Sequence, residues 1–406
     1  MNRTVDVLVV GAGPAGLAAA ARLAAAGAGR VEVLERDQAA GGVPRHCARP
    51  GFGADGRGRP LDGPGYARRA VRAALRAGAT VRTGVSATGW AGPLTLDVTA
   101  PTGLERVRAR AVVLATGARE RPRGARLVPG SRPAGVLTTG ELQRLVLRFG
   151  ARPGHIGRRA VVVGGDPVAR SAVRTLRTAG VEVVAVVSEH PVRRAVFGSV
   201  PVLSGAIVAE LLGRGRLTGV AVRAGAGRAA PYTLRCDTVV FTGDWIPEHE
   251  LARTGGLPLA PGTRGPAVDG AFRTAVPGVF AAGNLLRGVE PAVAAAAEGR
   301  AAAAAVAELL EGRPWPEDRV PVGVAAGPAG PLRWVTPGLL GPAAPLLVRP
   351  ARRLVRPVLT LSQDGVPVGR VPLGGVLLPR RSVRLPPGWA EGVDPAGGPV
   401  VVGAEG

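Results

Sequence analysis

Apolar and polar positions along the chain fall into repeated blocks. Residues 5–10, VDVLVV, form a short β-branched run of the kind that fills a central parallel strand. A glycine-punctuated turn follows, then the Ala-rich stretch LAAAARLAAAG, which predicts a helix ending at Gly27. A second strand lies in VEVLERD and ends at Glu35. The same order returns further on: a strand over 160–163, the turn GGDPVA, a helix over 168–179, and the strand VEVVAVVSE ending at Glu189. The run VVLATG at 112–117 predicts another strand, and an Ala-rich helix is expected from about 291 to 310. After Pro314 the pattern changes to short runs such as PVLTLSQ, GVPVGR and PVVVG, parted by Gly and Pro. This predicts a β-rich region of short strands, with Trp334 and Trp389 in its core. LLVRPARRLVRPVL, residues 346–359, is basic and apolar, but its prolines break any long helix, so strand edges are expected there.

The turn in the first block is GAGPAG, with Gly11, Gly13 and Gly16. Gly11 permits the tight turn, Gly13 lets backbone approach a pyrophosphate, and Gly16 lets the helix lie close to the strand. The helix N-terminus offers free N–H groups and partial positive charge to phosphates. Glu35, 24 residues after Gly11, can accept hydrogen bonds from ribose hydroxyls. GxGxxG alone is a weak signal; set between two strands and a helix, with the acidic residue in place, it predicts a dinucleotide site.

The paired Gly41-Gly42, the Ala115-Thr116-Gly117 strand end, TAVPGVFAAGN at 274–284 and the late Ala-rich helix add the remaining motifs. Together they resemble flavoproteins with two dinucleotide-binding domains, the glutathione-reductase-like or pyridine nucleotide-disulfide oxidoreductase class. GGVPRHC, TGARERPR, VPGSRPAGVLTTGELQ, TGDWIPEHELAR and GVFAAGNLLRGVEPA are similar to the branch that includes FAD subunits of hydrogen cyanide synthase and opine oxidase. The resemblance covers roughly residues 5–310. It implies FAD as cofactor, lined by Gly11, Gly13, Pro14, Ala15, Gly16, Glu35, Arg36, Gly42, Ala115, Thr116, Gly117, Gly283 and Asn284. Position 284 is Asn where the wider class has Asp; Asn keeps hydrogen-bonding capacity without repelling phosphate.

The second block departs from the first at one position. Gly164 supports the tight turn and Ala169 stands in for the third glycine, but Asp166 replaces the glycine that would meet the pyrophosphate. A carboxylate there repels phosphate at short range. Glu189, 25 residues after Gly164, holds a ribose-type position. Two readings follow: NAD(P) bound with altered phosphate contacts, or a Rossmann-like scaffold without nucleotide. Asp166 favours the second, and a fold does not by itself imply its ligand.

The resemblance also places the segment after Gly42 along the flavin. There Arg45 is a candidate fork for a substrate carboxylate, and His46 a candidate acceptor of the proton released when a hydride leaves carbon. A structural loop is the alternative for both. Cys47 and Cys236 form no CxxC, which removes a redox dithiol and the usual zinc or iron–sulfur spacings. Cys236 alternates into a strand and is expected in the core; His155 and His190 read as surface-loop residues, His249 as a helix-entry loop residue or one that faces the flavin, and no metal site is expected.

Composition refines this picture. The 406-residue chain carries a net charge of +23 with no lysine. The arginines are scattered without interleaved aromatics, so no nucleic-acid partner is expected. The apolar N-terminal run after Arg3 resembles a signal peptide in outline, but Asp6 and the patterned glycines read as strand, turn and helix; a cytoplasmic protein without a transmembrane segment is expected.

The fold expected is α/β: two Rossmann-like dinucleotide-binding domains, the second inserted in the first, plus a small β-rich C-terminal domain. The boundaries expected are 1–120 with 245–315 for the FAD domain, 121–244 for the insert and 316–406 for the tail. The activity expected is FAD-dependent oxidation of a small amine, amino acid or hydroxy acid, with electrons passed to a partner protein, quinone or oxygen. An NAD(P)H-dependent flavin reductase and a non-catalytic FAD subunit of a heteromeric oxidase are the alternatives.

Overall fold

The structure, a computed structural model, describes residues 2–224, 230–317, 319–325, 330–341, 345–379, 381–385 and 388–405. From the N-terminus, β1 (Val7–Val10), α1 (Pro14–Ala25), β2 (Val31–Glu35), α2 (Gly63–Arg76), β3 (Thr80–Thr83) and β4 (Ala111–Leu114) alternate. Then come β5 (Val136–Thr138), α3 (Thr139–Phe149), β6 (Arg159–Val163), α4 (Pro167–Thr178), β7 (Glu182–Ser188), β8 (Val202–Ser204) and β9 (Thr238–Phe241). The chain closes the α/β part with β10 (Val279–Ala281) and α5 (Ala292–Leu310). Two compact units result: 1–45 with 49–118 and 247–406, and 46–48 with 119–246. Residues 316–406 therefore belong to the first unit.

In the first unit five parallel strands run in the order β10-β4-β1-β2-β3. All four residues of β1 are buried because both faces of the sheet are covered. One face sets Val7, Val9, Val33 and Phe280 against Leu17 and Leu23 of α1 and Val306 of α5. The other sets Leu8, Val10, Leu34 and Leu114 against Leu96, Val98 and Val107 of an antiparallel meander, Ser86–Arg108. The alternation of β1 thus splits cleanly between two cores, and each fully buried Val, Leu or Phe contributes about 1.5–3 kcal/mol.

The second unit repeats the plan, with five parallel strands in the order β5-β9-β6-β7-β8. Leu142 of α3 and Ala169, Ala172 and Leu176 of α4 pack with Val162, Val186 and Val240. A three-stranded antiparallel sheet, Ala206–Leu212, Gly219–Ala224 and Tyr232–Arg235, accompanies it. Cys236 is buried, as expected, and burial pushes its thiol up to about 12.

The C-terminal region is β-rich with a core of its own, in which Val322, Val348, Leu359, Leu361 and Val402 meet. Val400–Glu405 pairs antiparallel with Val358–Gln363 and parallel with Val322–Val324. The basic 346–359 stretch forms Leu347–Pro350, Leu354–Val355 and the start of the strand at Val358, so strands do replace a helix there. Trp334 is buried and Trp389 half-buried.

Candidate functional site

Four separate stretches of the first unit converge on the turn after β1. Gly11 has φ +104°, and a Cβ there would lie 2.4 Å from the Ala115 carbonyl oxygen at the end of β4. At Gly16 a Cβ would lie 2.0 Å from the Gly11 carbonyl oxygen, so only glycine lets α1 start this close. A Cβ on Gly42 would come within 2.8 Å of Gly13 Cα, and one on Gly283 within 2.6 Å of Ala15 Cβ. Gly41 N–H also donates to the Ala12 carbonyl at 2.8 Å. The predicted Gly11, Gly13, Pro14, Ala15, Gly16, Gly42, Ala115 and Gly283 are thus brought together, largely through backbone.

The ends of the two equivalent helices differ. Gly13 is the N-cap of α1 with φ −83° and ψ −174°, and no side chain caps the helix. A Cβ at Gly13 would meet nothing within 4 Å, so the helix start has room beside it and no side-chain cap. Asp166 is the N-cap of α4 with nearly the same backbone, φ −87° and ψ 175°, but its Oδ1 accepts the Ala169 N–H at 2.7 Å. Both helices have Pro at their first position. The fold is shared; in the second unit an internal carboxylate caps the helix, and in the first none does.

Glu35 closes the other end of the first cradle. Its Oε2 accepts Ala12 N–H at 3.1 Å and its Oε1 accepts Asp37 N–H at 2.9 Å, while burial raises its pKa against those bonds. Arg36 lies at the surface and pairs with Glu248 at 3.3 Å. Thr116 Oγ1 donates to the Glu248 carbonyl at 2.7 Å, and Glu248 N–H donates to the Gly117 carbonyl at 2.9 Å. The stretch Ala115–Gly117 is therefore pinned by the returning chain at Glu248, a residue the motif reading passed over.

Arg45 and His46 sit in a 3-10 turn, Val43–His46. The Arg45 guanidinium pairs with Asp37 and its Nε donates to the Gly42 carbonyl at 3.3 Å. It is held beside the Glu35 end of the cradle. The unit boundary falls after Arg45, and His46, half-buried, belongs with the second unit. There Cys47 Sγ donates to Gln143 Oε1 at 3.4 Å, and Gln143 Nε2 donates to Ser171 Oγ at 2.8 Å. His155 and His190 are exposed, and His249 Nδ1 is bonded to the Arg264 carbonyl.

A buried carboxyl that the sequence did not single out stands near Asp166. Glu120 is 7% exposed; its Oε2 accepts the Gly140 N–H of α3 at 2.8 Å, and the carboxylate lies beside the Thr139 hydroxyl and the Gly243 backbone. Burial, reinforced by the Asp166 charge, pushes its pKa up to about 7 against hydrogen bonds from Gly140, Thr139 and Gly243.

A family model described as pyridine nucleotide-disulphide oxidoreductase matches residues 5–299. The chain belongs to this family. The pyridine nucleotide-disulphide oxidoreductases include FAD-linked oxidoreductases that handle small organic substrates. The chain is 35% identical over 212 residues to the A subunit of opine oxidase from Agrobacterium tumefaciens, covering 48% of this chain and 39% of that protein. It is 33% identical over 229 residues to the alpha subunit of sarcosine oxidase from a Corynebacterium species, covering 50% of this chain and 22% of that protein. The chain thus spans well under half the length of both curated relatives. Among solved structures, T. acidophilum thioredoxin reductase superposes with a TM-score of 0.62 at 24% identity, over 75% of this chain and 98% of that one. L-proline dehydrogenase from P. horikoshii gives 0.60 at 20% identity, over 77% and 57%. These two likenesses show the shared fold. Among the described residues no helix is long and apolar enough to cross a membrane.

Proposed function

We propose that the chain binds FAD in its first unit and oxidises a small amine, amino acid or hydroxy acid, passing the electrons to a partner protein, a quinone or oxygen. The observation that carries this reading is the contrast between the helix ends: α1 is uncapped at Gly13, and α4 is capped by Asp166. The first cradle suits a pyrophosphate, with α1 N–H groups at the phosphates and Glu35 at the ribose. When bound, FAD would supply a two-electron acceptor for a hydride leaving substrate carbon. The proton left on the substrate heteroatom would pass to a base, for which His46 is the candidate that its position in the sequence offers. Arg45 would clamp a substrate carboxylate only if that carboxylate displaced Asp37 from its guanidinium.

An anaerobic titration of the yellow protein tests the direction of electron flow. NADH and NADPH are expected to leave the flavin absorbance unchanged, whereas a panel of N-substituted amino acids, amines and hydroxy acids should contain one that bleaches it. Rapid bleaching by NAD(P)H would overturn the reading in favour of a reductase. Asp166→Gly should open the second cradle and tighten NADH binding about tenfold or more, because it removes both the repelling charge and the internal cap. Isothermal titration of the two proteins with NADH checks this.

One observation favours a second reading, in which the chain is the FAD-holding part of a larger assembly and depends on a partner. Both curated relatives are named as subunits, and this chain spans 39% and 22% of their lengths. A purified chain that holds FAD yet turns over no substrate until a second polypeptide is added would support it.

A further inference from the structure

We propose that Arg349, from the β-rich C-terminal region, is a positioning residue for the Gly283–Asn284 segment of the FAD cradle, acting through Glu290. This rests on the FAD reading above. The Asn284 side chain and the Glu290 backbone are bonded both ways: Nδ2 donates to the Glu290 carbonyl at 3.4 Å, and Glu290 N–H donates to Oδ1 at 3.2 Å. The orientation of Asn284 therefore follows the position of Glu290.

The Glu290 carboxylate is held from the tail. Arg349 Nη2 lies 3.3 Å from Glu290 Oε1, and Ser382 Oγ donates to the same oxygen at 3.4 Å. Arg349 is itself fixed: it donates to Ser382 Oγ at 3.0 Å and to the Pro379 carbonyl at 3.4 Å, and lies 5.0 Å from the Trp334 ring centre. Arg287, buried, lies 6.0 Å from the same ring centre. Its Nε is 3.6 Å from Glu290 Oε1, and its Nη2 pairs with Glu298 on α5. Glu298 Oε2 in turn accepts the Gly283 N–H at 3.0 Å.

Two carboxylates thus share Arg287, one governing Gly283 and the other Asn284. Arg349 supplies the second cation that lets both be satisfied. Without it, Glu290 would draw Arg287 away from Glu298, and both residues of the cradle segment would shift. The contacts are largely shielded from water, where charge-assisted bonds between coupled neighbours carry more than surface pairs do.

The test is FAD titration of the apoprotein by flavin fluorescence quenching, beside the apoprotein's thermal midpoint. Arg349→Met should weaken FAD about tenfold, and Arg349→Lys should recover part of that by restoring charge without the fork. Glu290→Gln should weaken it about threefold or more, and the double variant should be no weaker than Arg349→Met alone. Arg370→Met, at the exposed pair with Glu405 in the same region, should leave affinity unchanged. A folded Arg349→Met protein with wild-type FAD affinity overturns the inference and leaves the FAD reading standing. If Arg349→Met does not fold, Glu290→Gln decides by the same criterion. A wild-type apoprotein that takes up no FAD overturns the FAD reading itself.

Discussion

Gly13→Asp is expected to yield a folded, colourless protein. It writes the second unit's N-cap into the first. The backbone is ready for it: Gly13 and Asp166 share φ near −85° and extended ψ, each followed by Pro at the first helical position. A Cβ at 13 would enter open space, so no steric cost is incurred. The new carboxylate would cap α1, which stabilises a helix start by about 1 kcal/mol. It would also stand where the FAD pyrophosphate must approach. Two charges at about 4 Å interact by roughly 4 kcal/mol at the effective dielectric of a protein surface. Even half of that, with the loss of free N–H donors, predicts an FAD affinity at least ~100-fold weaker, or about 2.7 kcal/mol. Flavin absorbance after purification, FAD titration and the apoprotein's melting midpoint check it. A yellow protein with wild-type affinity would show that α1 does not hold the phosphates, while a collapsed midpoint would show a packing fault instead.

The parts of this site that are legible in the sequence are those whose chemistry is local. Gly11 and Gly16 must be glycine because backbone oxygens lie 2.4 and 2.0 Å from where a Cβ would be, and spacing alone announces that demand. The repulsive sense of Asp166 is also readable, since it falls in register with Gly13. Its capping bond to Ala169 is a matter of side-chain rotamer and is not. Arg45 shows the limit more sharply: type and position suggest a carboxylate clamp, yet Asp37 already occupies it. Non-local pairs are more hidden still. Arg319 with Asp269 and Arg349 with Glu290 tie residues 316–406 into the first unit, where the change of composition after Pro314 suggests a separate domain. Glu298 left one local trace, an acidic side chain inside the otherwise Ala-rich α5, but its role depends on Gly283 lying above it.

Stability of the second unit should fall as the pH rises from about 5 to 8, and Glu120→Gln should flatten that fall. The sign follows from Glu120's carboxyl, whose pKa stands near 4.5 in the unfolded chain and at about 7 in the folded one. The folded state binds the proton more tightly, so the stabilisation is complete below about 4.5 and is lost as the pH climbs through about 7. A difference of this size corresponds to roughly 3 kcal/mol between the two ends of the window. Burial is the main cause, and the nearby Asp166 adds to it because ionised Glu120 would face a second negative charge. Glutamine keeps an oxygen for the Gly140 N–H and carries no charge at either pH, so going from pH 5 to 8.5 the variant should gain about 2–3 kcal/mol on the wild type. Urea unfolding at both pH values, followed by a signal specific to the second unit, measures the difference. Parallel curves for the two proteins across the window would mean that Glu120 ionises at its ordinary value, and that the carboxylates at the starts of α3 and α4 do not sense one another.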